Sequence, residues 1–185
     1  MKKNIMISIK LTVVMIVLLA VLYPLLIAGI GKAAPGGGKG ETVSLNGHVV
    51  GYEKVGQKFT DNKYFHGRPS AVDYNAAGSG GSNKGLSNPD YLQVVKDRID
   101  SFLVHNPGIS KEQIPAEIVT ASGSGLDPNI TPASAFIQVK RIATVRGLPE
   151  DKVKELVDQH IETSFVGPKE IINVLKLNVA LDQLK

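Results

Sequence analysis

The chain has no cysteine and no tryptophan, and only five phenylalanines and five tyrosines among 185 residues. Without cysteine there are no disulfides, thiolate metal sites or thiol nucleophile, a composition that suits an extracytoplasmic domain. So few aromatic rings remove the stacking platforms on which single-stranded nucleic acid is bound. Charge of one sign is lacking too, once its location is considered. The first forty residues hold five lysines and no acid, leaving 16 basic and 17 acidic residues beyond them. The pI near 9.2 therefore belongs to the N-terminal flanks, and nucleic-acid binding loses its main support.

Catalytic signatures are also missing. No serine stands in a G-x-S-x-G elbow, no run reads G-x-x-x-x-G-K-[ST], and the carboxylates are scattered at ordinary surface density. His48, His66, His105 and His160 stand 18, 39 and 55 residues apart with no local pairing, so no metal is assigned and they read as solvated or core-edge side chains.

What is present begins with Leu11 to Ile30, twenty residues without a charge. As a helix the run spans about 30 Å, the thickness of a bilayer's hydrocarbon core, and Pro24 removes one internal hydrogen bond and is expected to bend it. A cleaved signal peptide is the alternative, with Ala28, Ala33 and Ala34 as small residues near a cleavage site, although its apolar region is ordinarily about 7–15 residues. Lys2, Lys3, Lys10 and the free amine precede the run and only Lys32 and Lys39 follow it. The positive-inside bias then predicts residues 1–10 in the cytoplasm, a single transmembrane helix over 11–30, and the rest outside. Ala20, Ala28 and Gly29 offer places where another helix can approach closely.

Residues 31–41 read as a glycine-rich tether, and 42–185 as one small soluble α+β domain. Thr42 to Leu45 and His48 to Tyr52 flank Asn46-Gly47, a hairpin signal. From Gly56 to Asn88 periodicity disappears, and a loop this long is expected to be functional or clamped to a partner. Asn88-Pro89 starts a helix with Leu92, Val95, Ile99, Phe102 and Leu103 on one face. A second glycine-rich run, Ala121 to Asn129, leads into Thr131-Pro132 and a helix expected to bury Phe136, Val139, Ile142 and Ala143 and to stop at Gly147. Pro149 opens a third helix with Val153, Leu156, Val157 and His160 on one face. Ile171 to Leu177 reads as a strand, and Asn178 to Leu184 as a last helical turn or two. The glycine-rich runs are candidate phosphate cradles or docking loops. Arg68, between glycine and proline, presents a planar fork either to a carboxylate or phosphate or to a salt bridge that braces the loop.

These same segments carry a resemblance. YFHGRPSAVDYN at Tyr64 to Asn75, SGGSN at Ser79 to Asn83, VTASGSGLDPNITPASA at Val119 to Ala135, QVKRIATVRGL at Gln138 to Leu148 and NVLKLNVALD at Asn173 to Asp182 resemble, in order, the C subunit family (KdpC) of the potassium-transporting P-type ATPase. Lys84 departs from that family, which more often has an apolar residue there. The resemblance implies a non-catalytic accessory subunit that assists assembly and has been proposed as a catalytic chaperone raising the ATP affinity of the ATP-hydrolysing B subunit. Its implied partners are that subunit, the channel-like, potassium-binding A subunit and the small F subunit. It implies no cofactor of its own, with ATP shared with the B subunit. The motif D-K-T-G-T is absent, in keeping with an accessory role. Implied nucleotide or partner contacts are Ser79, Gly80, Gly81, Ser82, Asn83, Ser122, Gly123, Ser124, Asp127 and Gln138, beside Arg68. A chaperone for ATP would have to reach the cytoplasm, whereas the lysine asymmetry places the domain outside. The asymmetry has the direct physical basis, so the expected role is capping the external face of the channel-like subunit. A membrane-anchored extracytoplasmic binding module that works without a pump is the second reading.

Overall fold

The computed structural model describes residues 2–164 and 167–184. Met1, in the expected 1–10 segment, and residues 165, 166 and 185, in the expected 42–185 domain, lie outside the described residues. The chain divides into two units, one ending at Glu41 and one starting at Thr42.

The first unit is a single helix, α1 (Lys2–Gly31), of 30 residues, long and apolar enough to cross a membrane. It starts earlier than the apolar run, so its first turns carry Lys2, Lys3 and Lys10. Over Val17–Leu22 the winding widens to a π-helix. Pro24 lies just beyond and cannot donate to the preceding turn, so the ladder accommodates the lost bond by local rewinding, with α-helix resuming at Tyr23. Tight turns over Pro35–Gly38 follow, made with positive φ at Gly36 and Gly37.

The second unit is α+β. Strands β1 (Thr42–Leu45) and β2 (His48–Tyr52) form an antiparallel hairpin with a bulge between Val43 and Ser44. Asn46 and Gly47 both take positive φ, 52° and 80°, as the type I′ turn requires. Helix α2 (Pro89–His105) begins where Asn88 Oδ1 accepts from Tyr91 N at 3.0 Å. Its Val95, Ile99 and Phe102 are only partly buried against the core, and Leu92, expected on that face, is 50% exposed.

Strand β3 (Asn129–Ile130) leads to α3 (Pro132–Phe136), capped by Thr131, and then α4 (Val139–Arg146). One helix was expected here; the break falls between them, and Phe136 turns outward at 37% exposure while Val139, Ile142 and Ala143 are buried. Gly147 ends α4 in the left-handed region. Helix α5 (Glu150–Gln159) buries Val153, Leu156 and Val157, and His160 caps its end with Nδ1 2.7 Å from Leu156 O.

Strands β4 (Glu162–Thr163) and β5 (Glu170–Asn173) complete a three-stranded antiparallel sheet in the order β3-β5-β4. The expected strand over Ile171 to Leu177 is cut short. Asn173 Oδ1 accepts from Lys176 N at 3.0 Å, which starts α6 (Val174–Gln183), while its Nδ2 donates to Glu53 O at 2.7 Å. One amide thus ends a strand, caps a helix and ties down the end of the hairpin.

The core gathers Ile130, Ile142, Val153, Val157, Ile172, Leu177 and Leu181, together with Phe65 from the aperiodic loop, all at 0–1% exposure. That loop is held by side chains rather than by a ladder. Asn178 Oδ1 accepts from Phe65 N at 2.8 Å and its Nδ2 donates to Phe65 O at 3.0 Å. Gln138 grips the next residue in the same way, accepting from His66 N at 2.8 Å and donating to His66 O at 3.1 Å. Two buried amides act as an edge strand would, which satisfies the backbone polar groups of an irregular segment in the interior.

Candidate functional site

Arg141 completes this clamp. It is 5% exposed, and Nε donates to Asn106 Oδ1 at 2.9 Å, Nη1 to Tyr64 O at 3.0 Å and to Asn62 O, and Nη2 to Gln138 Oε1 at 2.7 Å. Every partner is neutral. Burial pulls its pKa down to about 10, partly opposed by the charge of Asp61, so the guanidinium stays charged at neutral pH. Arg146 adds Nε to Lys63 O at 2.8 Å and Nη2 to Asp182 Oδ1 at 2.6 Å. Backbone from Asn62 to His66 is thereby fixed, and it delivers Gly67, Arg68 and Pro69 to the surface in one conformation.

Arg68 pairs with Asp127, Nη1 to Oδ2 at 3.0 Å, with both side chains about three-quarters buried. The bridge joins the loop from Gly56 to Asn88, which contains the glycine-rich run Gly78 to Asn83, to the run from Ala121 to Asn129, and the two runs use their polar groups on each other. Gly80 N and Ser79 Oγ both donate to Ser124 O, at 2.8 and 2.9 Å. Ser122 N donates to Pro69 O at 3.1 Å and Gly56 N to Leu126 O at 2.8 Å. Asp127 Oδ1 also accepts from Asn129 N at 3.0 Å, and Ser124 Oγ from Leu126 N at 3.1 Å. Arg68, Ser79, Gly80, Ser122, Ser124 and Asp127 thus converge. Gly81 approaches Gly123 so closely that an added Cβ would lie 2.9 Å from its carbonyl oxygen. Ser82 is half-buried and Asn83 exposed in the same run. Gln138 does not join them, because its amide is fully committed to His66, Arg141 and Ser134 O.

Two clefts flank the interlock, both touching Arg68. One, about 310 Å³, lies between α2 and the loop from Lys58 to Tyr74. The other, about 240 Å³, is bounded by Glu117, Asp127, Thr131 and Ile171. Glu117 there accepts from Thr131 N and Oγ1, both at 2.7 Å, and from Ser134 Oγ at 2.5 Å, locking the start of α3. On the first cleft, Asp73 and Tyr74 hold consecutive positive φ values of 52° and 59°, uncommon for such residues. Ser70 Oγ accepts from Tyr74 N at 2.9 Å, and Tyr74 OH donates to Arg68 O, so the turn is held from both ends. Burial pushes the Tyr74 phenol up to about 12; the charge of Asp127 adds to the shift and Arg68 opposes it. None of the roles of His66, Tyr74, Glu117, Arg141 or Asn178 stands out in the sequence, since each depends on at least one partner 14 or more residues away or on an aperiodic turn.

His66 carries a pH signature. Burial, and then the nearby Arg141 charge, lower its pKa from 6.5 to about 4, and Nε2–H donates to Asp61 O at 3.1 Å. The unfolded chain therefore binds more protons between those values. This contribution to stability is complete above pH 6.5 and is lost as pH falls toward 4, costing about 2 kcal/mol at pH 5. Denaturant titrations at pH 7 and pH 5 check it: His66→Gln should shrink the pH-dependent loss relative to wild type.

A single long apolar helix followed by a small α+β domain, with no cluster of His, Asp or Glu suited to a metal among the described residues, defines the class: a helix-anchored domain built around interlocked loops. The family model described as KdpC, K+-transporting ATPase, c chain, matches residues 5–183. Potassium-transporting ATPase KdpC subunits are 62% identical in Flavobacterium psychrophilum and 63% identical in Flavobacterium johnsoniae, each alignment covering 99% of this chain and 100% of the relative. That of Caldanaerobacter subterraneus subsp. tengcongensis is 51% identical over 94% of this chain and 92% of its own. The chain belongs to the KdpC family.

Proposed function

We propose that the chain is a non-catalytic accessory subunit of an ATP-driven potassium uptake complex, anchored by α1 and acting through protein contact. Its partners are the channel-like A subunit, the ATP-hydrolysing B subunit and the small F subunit. The single pass is oriented with the lysine-rich end in the cytoplasm, so the α+β domain works outside and caps the channel-like subunit. The observation that carries contact rather than nucleotide binding is the interlock, in which Ser79, Gly80 and Ser124 use their donors and acceptors on one another. A phosphate cradle needs such backbone N–H groups turned toward the ligand. The role of the subunit is then to steady the assembled complex. Any influence on the B subunit's affinity for ATP is transmitted through the membrane subunits.

Single cysteines test the sidedness. Ser101 and Lys152 are both exposed, and cysteine at either position should react with a membrane-impermeant thiol reagent on intact cells. Protection of both until lysis would overturn the external placement; Lys152 serves as the control against protection of Ser101 by docking. Purification in mild detergent tests the complex. The chain should elute with larger membrane subunits, and a chain that always elutes alone would favour an independent binding module.

A further inference from the structure

In the cleft between α2 and the loop from Lys58 to Tyr74, Lys58 pairs with Asp73 and Arg68 with Asp127, which leaves the Arg98 guanidinium as the lining charge with no ion pair among the described residues. Lys58, Arg68 and Arg98 line it against one carboxylate, Asp73. Lys58 lies 2.6 Å from Asp73, which accounts for that pair. Arg98 uses Nη1 on Val119 O at 3.2 Å, leaving its Nε and Nη2 donors. Arg68 uses Nη1 on Asp127, and its Nε is buried with no hydrogen-bond partner. Ser70 Oγ already accepts from Val72 N and Tyr74 N, at 3.2 and 2.9 Å, so its own proton is available to a third group. Ser101, exposed on the opposite wall, adds a hydroxyl.

We propose that this cleft binds a small oxyanion, with Arg98 Nε and Nη2 supplying charge-assisted donors and the Ser70 and Ser101 hydroxyls completing the shell. Guanidinium groups suit this task because their planar forks match oxyanion geometry and keep their charge at any physiological pH. The volume of about 310 Å³ sits at the small end of ligand pockets. The site is built from residues of this chain alone.

Inorganic phosphate is the probe, titrated into the full chain in mild detergent with ionic strength held constant by sodium chloride. The unfolding temperature should rise saturably, by about 3–5 °C at ten times the dissociation constant. Arg98→Ala and Ser101→Asp should each weaken binding at least tenfold, the first by removing donors and the second by placing a carboxylate in the cleft. Ser101 has an exposed side chain, so Ser101→Asp keeps the fold and decides the matter even if Arg98→Ala, which loses the bond to Val119 O, does not fold. An equal rise with chloride alone would overturn the proposal. So would saturable phosphate binding that Ser101→Asp leaves unchanged, since the anion would then sit elsewhere.

Discussion

Replacing Arg141 with methionine should destabilise the domain by about 3–5 kcal/mol, enough to abolish accumulation of folded chain in many hosts. The methionine side chain ends at about the position of Nε, so the loss is chiefly of the guanidinium's hydrogen bonds, with some of its packing. Four donor contacts reach four residues, namely Asn62, Tyr64, Asn106 and Gln138, and removal leaves Asn62 O, Tyr64 O and Asn106 Oδ1 without this donor, while Gln138 Oε1 keeps only His66 N. Each orphaned acceptor costs about 1–3 kcal/mol, while the desolvation seen in the lowered pKa is recovered. Arg141→Lys should recover only part of the stability, because three donors on one nitrogen cannot span both the loop carbonyls and the two amide side chains. Denaturant midpoints of the detergent-solubilised chain would show this order. A methionine variant as stable as wild type would mean that the loop from Asn62 to His66 is held by Asn178, Gln138 and Arg146 without Arg141.

Gly125→Ala should cost about 3 kcal/mol or more, whereas Gly123→Ala, two residues away in the same run, should fall within about 0.5 kcal/mol of wild type. Gly125 is buried with φ of +69°, and a Cβ there would lie 2.6 Å from Val72 Cγ2 and 2.7 Å from Gly80 O. The backbone carbonyl cannot yield without separating the two glycine-rich runs. Gly123 has nothing within 4 Å of the same added atom. The pair therefore separates the demands of the interlock from mere glycine content. Because the strain falls on the contact between Gly80 and Ser124, Gly125→Ala should also reduce co-purification with the larger membrane subunits, while Gly123→Ala should not. Thermal unfolding and pull-down yields of the two variants, measured side by side, read both effects.

Much of the architecture was legible in the residues because its cause is local. Asn46-Gly47 makes its turn with torsions that those two residues readily adopt, whatever surrounds them. Asn88-Pro89 and Thr131-Pro132 start helices by side-chain oxygens reaching backbone N–H groups three residues ahead, Asn88 at 3.0 Å and Thr131 at 3.4 Å. The two-residue strands β3 and β4 were not legible, since so short a segment carries no periodicity and exists only through pairing with β5. Phe136 was misplaced because helical spacing predicts a single continuous helix, whereas the chain breaks after it. The strand expected to run to Leu177 stops at Asn173, where a cap competes with the ladder and wins.

The candidate site divides the same way. Arg68 could be singled out from its neighbours, and Ser79, Gly80, Ser124 and Asp127 from the family resemblance, yet their mutual contacts span 44 to 59 positions. Arg141 reads in sequence as one more basic residue in QVKRIATVRGL, and only its 5% exposure reveals it as a structural centre. By itself the sequence determined the apolar helix α1, the hairpin, the helix starts and the family, because length, turn torsions and capping act over a few residues. The tertiary structure alone decided that an aperiodic loop would be ordered, that two glycine-rich runs would interlock, and that Arg98 would line a cleft with spare donors. Those outcomes depend on which distant polar groups satisfy one another once water is excluded, and no local pattern records that pairing.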